Sequence, residues 1–512
     1  MTNCNSGWGS WTESPAPIEE SAIRETLDCD VAVAGAGIAG VTCALRAAQN
    51  GLRVIVLEKS ANWNARGGNI GVANSAFMRA QGYENDPEVL AREWIKRCCG
   101  RCDETVLWRY LRSSESAMDW LIDILTGPEY GVRPELQACL YHGETYFERM
   151  GSHRFFDGPM AKKGARAGAA DAVYAMYSES LKLGVRYLMQ TPAEQLEKHG
   201  GRVTGLLARS EAGYIRVNAV KGVVLATGDI GGNKEMCADL APMAASCKSS
   251  TYTPRGNNTG DGHRMGFWAG GIFEEAPFPI LFHPQAYSLV NYCFLFVDQG
   301  GQRYMNEDNN IQAKSIAIHR LGLDYAWSIL DGDWAEKIPA SLPYGSGIFW
   351  GLDHAPGESG YTLEGTQLML DLARRVGSLV EADTPEALAE KMGVPVDAFT
   401  KTLRDYNAMC RAGKDTQFGK RKELLMPLDK APYYAIKFGP SVLAVVGGLQ
   451  VDANCAVLDA NRSPIPGLYA VGNTMGGKYG VDYPMVIPGT SHGTALTFGY
   501  VLGDVLAGKE VR

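Results

Sequence analysis

The junction of Asp30-Val31-Ala32-Val33-Ala34 with Gly35-Ala36-Gly37-Ile38-Ala39-Gly40 restricts what this chain can fold into more than any other stretch. The first five residues read as a short buried strand, and the alanine-rich run continuing through Ala48 reads as a helix. Gly35 allows the sharp turn between them, Gly37 lets the backbone approach a pyrophosphate, and Gly40 lets the helix pack on the strand. The helix N-terminus, with Ala39 in its first turn, then faces the phosphate charge. A second apolar run, Val54-Ile55-Val56-Leu57, leads into Glu58, 23 residues after Gly35. An acid roughly 20 residues beyond the glycines is the group that takes ribose hydroxyls. Strand, glycine turn, helix, strand and acid in register make a mononucleotide-binding unit.

Further stretches extend the pattern. Lys59 through Asn69 is a polar loop carrying Arg66-Gly67-Gly68-Asn69 directly after the acid. Val223-Val224-Leu225-Ala226-Thr227-Gly228 reads as a buried strand ending in Ala-Thr-Gly, and Ile465 through Gly472-Asn473 is another strand running into glycine. Between them lie Thr259-Gly260-Asp261-Gly262, His283-Pro284, Gly301 through Glu307 and Gly447-Gly448. Last come Gly477-Lys478-Tyr479-Gly480-Val481-Asp482-Tyr483-Pro484 and Pro488-Gly489-Thr490-Ser491-His492-Gly493. In this order, from about residue 28 to 508, the set resembles the fumarate reductase/succinate dehydrogenase flavoprotein family.

That resemblance implies an FAD held from both ends of the chain. Besides the N-terminal turn, it carries cofactor contacts onto Glu58, Lys59, the Arg66–Asn69 loop, Thr227, Gly228 and Asp261. Toward the other end it adds Gly472, Asn473 and Gly489. Ser491 and His492 match residues at the flavin pyrimidine edge, where a helix from about Thr490 to Leu506 would favour the negative charge of reduced flavin by about 0.3–1 kcal/mol. Respiratory members attach the flavin through a histidine shortly past the ribose acid; the first histidine here is His142, so non-covalent FAD is expected.

The implied fold class is α/β: a Rossmann-like doubly wound FAD-binding domain, residues 28–281 and 441–512, with an inserted α+β capping domain at 282–440. Residues 1–27 are left as an N-terminal arm. The cap assignment fits the residues themselves, since Leu368, Leu370, Leu372, Leu388 and Met392 recur in a stretch rich in helix formers.

Composition excludes more than it assigns. A net charge of −8 and a pI near 5.6 give no support for nucleic acid or an anionic membrane surface as partner. No apolar run reaches the roughly 18 residues a membrane span needs, and the first residues lack the basic start and apolar core of an export signal. A cytoplasmic location is expected, with the 12 scattered cysteines reduced. Cys98 and Cys102 bracket the one clustered group, which lacks the second pair, histidine or redox fold that would make it a cofactor site. Without haem or iron–sulfur motifs, the chain must exchange electrons with an external donor or acceptor. Oligomeric state is not legible.

The chemistry turns on substitutions within the family pattern. Fumarate-reducing relatives place a proton-donating arginine five residues after the Asn that matches Asn306; that position is Ile311. Their histidine before the Gly-Gly pair has no counterpart in Pro440 through Val446, and their second clamping arginine falls at Tyr483. A dicarboxylate needs fixed cations to offset desolvation, so fumarate and succinate are disfavoured. Tyr483-Pro484 and Pro488-Gly489, followed by Ala495 through Tyr500, look instead like the 3-ketosteroid dehydrogenase branch. Those enzymes hold a ketone oxygen with the tyrosine and the glycine N–H at these positions, which implies Tyr483 and Gly489 as substrate-binding residues. A phenol and an amide suit a neutral carbonyl and stabilise its enolate-like form.

Tyr483 either holds the carbonyl or exchanges the α-proton, Tyr479 is the second candidate hydroxyl, and His283 reaches the site or serves a hydrogen-bonding role. The steroid enzymes' cap tyrosine is also Ile311 here, and Arg66-Gly67-Gly68-Asn69 resembles tricarballylate dehydrogenases. The leading expectation is an FAD-dependent ene-reductase or dehydrogenase of a lipophilic ketone, such as a 3-oxo steroid or bile-acid intermediate. An unsaturated carboxylate is the alternative, its charge met by Lys478, Arg255 or Arg264. A non-catalytic electron-transfer subunit is the reading from another class. No metal site is expected.

Overall fold

Strand Ile23–Ala34 becomes wholly apolar and buried over Val31 to Ala34, where a parallel neighbour lies on either side. Parallel strands covered on both faces need such runs. In the computed structural model, which describes residues 7–136, 149–163, 168–252, 254–285, 293–341, 344 and 362–511, this strand is near the middle of an eight-stranded sheet. The order across it is Ala456–Leu458, Pro464–Ala470, Gly213–Leu225, Ile23–Ala34, Val54–Leu57 and Arg186–Leu188. All pairings are parallel except the first, and the hairpin Ala193–His199/Arg202–Ser210 continues antiparallel from Gly213–Leu225. Register brings Ala34, Leu57, Leu225 and Ala470 level with one another. The carboxyl ends of four strands from both halves of the chain thus open on one edge, where ligands bind in sheets of this kind.

Helix Ile38–Gln49 packs between helices Thr490–Leu506 and Ala169–Lys182. The first contact is close because Gly499 and Gly503 face Thr42 and Arg46, and Arg46 pairs with Asp504 at 2.8 Å. Trp8 and Trp11 stack on each other and pack against Phe267 and Phe273, while Trp11 Nε1 donates to Asp239 at 2.7 Å. The described part of the N-terminal segment is therefore fastened to the sheet domain.

A second, five-stranded antiparallel sheet centres on the 13-residue strand Tyr433–Val445. Its early residues pair with Ala326–Leu330 and Leu379–Ala382; its later ones pair with Ile280–Gln285. A separate hydrophobic cluster, from Phe294 to Phe438, fills this part of the molecule. Helices Leu363–Arg375, Pro385–Met392 and Val396–Ala412 surround it, the first two started by the side chains of Thr362 and Thr384. A short buried strand, Leu295–Val297, pairs with Ala326–Leu330 at the edge of this sheet. Among the described residues no helix is long and apolar enough to cross a membrane. Cys98 and Cys102 are buried free thiols.

Candidate active site

The aligned strand ends form the floor of a cavity of about 910 Å³. At Gly35, with φ at +109°, an added Cβ would collide with the backbone of Ala226, so the turn tolerates only glycine. Gly37 precedes helix Ile38–Gln49 and gives it no side-chain cap, leaving its first N–H groups to the cavity. Gly40 does not line the cavity; a side chain there would strike the Gly35 carbonyl, so its role is the close helix–strand packing.

Glu58 closes the turn from the other strand. Its carboxylate accepts the N–H groups of Ala36 (2.9 Å) and Ser60 (2.8 Å) while still lining the cavity. Lys59 reaches across to Asp261 and Thr259, both at 2.8 Å. Burial alone would raise the Asp261 carboxyl, but Lys59, with Thr259 and Arg264, outweighs it and holds Asp261 below the usual carboxylate range. Thr227 accepts the N–H of Gly262 at 2.8 Å, and Thr474 donates to the Gly228 carbonyl at 3.0 Å, fixing the second glycine turn. Gly472 and Asn473 continue the same wall, with Ser491 Oγ 3.3 Å from Asn473 Oδ1.

Arg66 lies with its guanidinium 3.5 Å from the centre of the Tyr252 ring and donates to the Leu443 carbonyl at 2.6 Å. That contact joins the loop after Glu58 to the strand Tyr433–Val445. Gly67 and Gly68 keep the loop thin: a Cβ on Gly67 would lie 2.7 Å from His492 Cε1, and Gly168 packs on Gly68. His492 Nδ1 is 2.9 Å from the Asn69 carbonyl, which can only accept, so Nδ1 carries the proton. Burial lowers His492 to about 4, and the imidazole is neutral.

Tyr483 faces the opposite end of the cavity, 4% exposed. Its phenol oxygen accepts the hydroxyl of Thr490 at 2.8 Å and the backbone N–H of Ser491 at 3.1 Å. Both donors belong to the first turn of helix Thr490–Leu506, whose preceding residue Gly489 adopts φ +83° and supplies no side-chain cap. Tyr479, the second candidate hydroxyl, lies elsewhere: it is fully buried, stacks on Trp94 at 5.7 Å, and has its hydroxyl 3.3 Å from Thr494. It packs behind Tyr483 and does not line the cavity.

His283, Leu281, Ile311, Leu443, Ala444 and Met485 close the remaining wall, with Met369 at its rim. His283 is pushed down to about 4 by burial and is also neutral. The cations proposed to meet a carboxylate are not in this wall. Lys478 is buried and donates to the Gly472 carbonyl, Arg264 pairs with Asp261 at 2.8 Å, and Arg255 is exposed. Among the described lining residues the cations are Lys59 and Arg66.

Four buried histidines, His153, His263, His283 and His492, are each held near 4 by burial. Unfolded histidine titrates near 6.5, so between about 6.5 and 4 the unfolded chain binds more protons. The folded state should lose stability as pH falls through this window and be insensitive to these groups above it. Thermal melting from pH 8 to 5 checks the sign.

A sheet edge of this kind, with two helix starts that receive no side-chain cap from the preceding glycine and face one cavity, defines a dinucleotide-binding flavoprotein of the doubly wound class. The donor set fits FAD: helix Ile38–Gln49 offers N–H groups to the pyrophosphate, and helix Thr490–Leu506 offers them to a second electron-rich edge. The chain belongs to the FAD-binding family whose pattern, described as FAD binding domain, matches residues 30–485. It is 28% identical over 501 residues to the vinyl phenol reductase of Lactiplantibacillus plantarum, covering 92% of this chain and 94% of that protein. It is 26% identical over 501 residues to the NADH:fumarate oxidoreductase of Klebsiella pneumoniae, covering 94% of this chain but 48% of that longer protein. The solved 3-ketosteroid-Δ4-(5α)-dehydrogenase of Rhodococcus jostii shares its fold, with a TM-score of 0.72 and 24% identity over 96% of this chain and 99% of that one. The protein is thus an FAD-dependent oxidoreductase of this family, acting on carbon–carbon bonds.

Sequence reasoning missed several residues at this site. Tyr252 and Leu443 sit in no motif, and only the chain's return brings them against Arg66. Thr490 was legible as a helix start, but nothing local shows that its hydroxyl would support Tyr483.

Proposed function

We propose that the protein transfers hydride between FAD and a carbon–carbon bond conjugated to a neutral oxygen function, in a largely apolar molecule. A 3-oxo steroid or bile-acid intermediate is the leading substrate class. A para-vinyl phenol belongs to the same chemistry, because its oxygen is conjugated to the alkene through the ring, and the relative from Lactiplantibacillus plantarum carries vinyl phenol in its name. The observation that carries the reading is the Tyr483 hydroxyl, held by Ser491 and Thr490 inside an apolar wall.

Bound FAD, non-covalently held, supplies the hydride donor or acceptor. Tyr483 and the Gly489 N–H, which precedes the helical ladder, hold the substrate oxygen. Two donors on the phenol oxygen lower the cost of negative charge there, so Tyr483 can give its proton to an enolate-like oxygen and take it back. His283 is neutral and borders the apolar wall, fitting it to hydrogen-bond a substrate without demanding a carboxylate. Residues 282–440 act as the cap, and electrons come from or go to an external partner. The carboxylate reading keeps one support, Arg66, which lines the cavity.

The test is anaerobic. Photoreduced protein is mixed separately with a 3-oxo-4-ene steroid, a para-vinyl phenol and fumarate, and the 450-nm flavin band is followed. Fast reoxidation by either neutral compound is expected; reoxidation by fumarate alone sinks the neutral-substrate reading.

A further inference from the structure

A second, polar cavity of about 260 Å³ is bordered by Glu274, Arg101, Asp103, Gln450, Arg462 and Gly477. Glu274 is 7% exposed, and Lys478, directly after Gly477, is 2% exposed. Glu274 accepts the N–H of Gly448 on one oxygen (2.9 Å) and that of Gly477 on the other (3.0 Å). Lys478 turns the other way and donates to the carbonyl of Gly472, which lines the cofactor cavity. The two side chains therefore span the wall between the small cavity and the FAD site, and their charged ends make no direct ion pair.

That arrangement is costly if both groups stay charged. An ammonium has three donors, and the carbonyl of Gly472 satisfies one; burial without full compensation favours the neutral forms of acid and amine alike. Burial accordingly drives the Glu274 carboxyl up and the Lys478 ammonium down, each to about 7, while their mutual attraction opposes both shifts. Other groups facing Lys478 do not compete for the proton near neutrality. His263, bonded to the Gly447 carbonyl at 3.1 Å, is held near 4, and burial raises the Cys455 thiol and the Tyr479 phenol well above their ordinary ranges. Arg101, Asp103, Glu275, Arg462 and Cys102 line the small cavity on the Glu274 side.

We propose that Glu274 and Lys478 form a proton-loading pair that answers the charge of the flavin. When an external reductant delivers two electrons to the FAD, the added negative charge favours ammonium at Lys478. A proton is then taken up from solvent at Lys478, with the Glu274 carboxylate favouring the ammonium through their mutual attraction. When the substrate or another acceptor removes the electrons, the proton returns to solvent. The atoms balance: one proton in per reduction, one out per oxidation, and no bond of the protein made or broken other than N–H or O–H. Lys478 is a positioning residue, since it acts on the cofactor through the Gly472 carbonyl. The proposal does not depend on which substrate the enzyme uses.

The decisive measurement is the reduction potential of bound FAD, by dye equilibration, from pH 5.5 to 8.5. Wild type, Lys478→Met and Glu274→Gln are compared, with FAD stoichiometry and melting temperature as folding checks. In the wild type the potential should fall with pH more steeply around pH 7 than in Lys478→Met. At pH 6 the Lys478→Met protein should be about tenfold harder to reduce, about 30 mV for a two-electron couple. Glu274→Gln should keep the steep segment but move it to lower pH, because the carboxylate's pull on the ammonium is gone. Equal slopes in all three proteins overturn the proposal. Should Lys478→Met fail to hold FAD, Glu274→Gln decides alone, and an unmoved profile overturns it.

Discussion

Tyr483→Phe should lower kcat for a neutral conjugated substrate by about 10²–10³-fold, the range for losing one donor to a developing oxyanion, while FAD stays bound. The substitution removes one oxygen from a side chain that is otherwise packed against Tyr479 at a ring distance of 5.1 Å, so the ring keeps its place. What is lost is the hydroxyl that accepts from Ser491 and Thr490 and that, in the proposed function, offers its proton to the substrate. Stopped-flow reoxidation of the reduced protein reads the effect directly. An unchanged rate would remove Tyr483 from the chemistry. A large loss confined to apparent binding, with the limiting rate intact, would leave it a binding contact only.

Arg303→Met should destabilise the region around the second sheet by about 3–5 kcal/mol, the cost of removing one partner from a buried ionic cluster. Arg303 donates to both oxygens of Glu307 at 2.8 Å and to Asp415 at 2.9 Å, and all three side chains are fully buried. Lys420 stands 3.4 Å from Glu307 and bonds Tyr406 at 2.9 Å, too little to neutralise two carboxylates alone. Burial would raise both acids, yet Glu307 is held below its ordinary value by Lys420 and Arg303, and Asp415 well below by Arg303 and backbone N–H groups. These acids therefore stabilise the fold above the unfolded carboxylate range near 4 and stop doing so as pH falls through their lower folded values. Differential scanning calorimetry should show a transition lowered by roughly 6–20 °C. A drop of less than about 2 °C would mean that the cluster is relaxed by water.

What could be read in advance follows the range of the interactions. Asp30 to Glu58 declared itself because turn, helix start and acid all act within one local unit, and the helix Thr490–Leu506 because its apolar spacing is continuous. Lys478 misled for the opposite reason. In a glycine-broken loop between two motifs, nothing local says whether a lysine faces the ligand or the core, and Trp94 donating to its carbonyl at 2.9 Å, from far away in sequence, helps set that choice. Tyr479 is the same case, since its ring is claimed by Trp94. The joining of Arg66 to Leu443, and of Asn69 to His492, spans hundreds of residues and has no signature shorter than the fold itself.

The pairing of Pro464–Ala470 with Gly213–Leu225 also bears on how the protein is made. On the ribosome the inner strand emerges long before its neighbour, and at about 5–20 residues per second the wait is roughly 12–50 s. Throughout that interval one border of a parallel sheet lacks its partner, and helix Ile38–Gln49 lacks the Thr490–Leu506 surface it packs on. A nascent chain in this condition has the fingerprint but only part of the pocket, whose far wall from Gly472 to Ala495 is still to come.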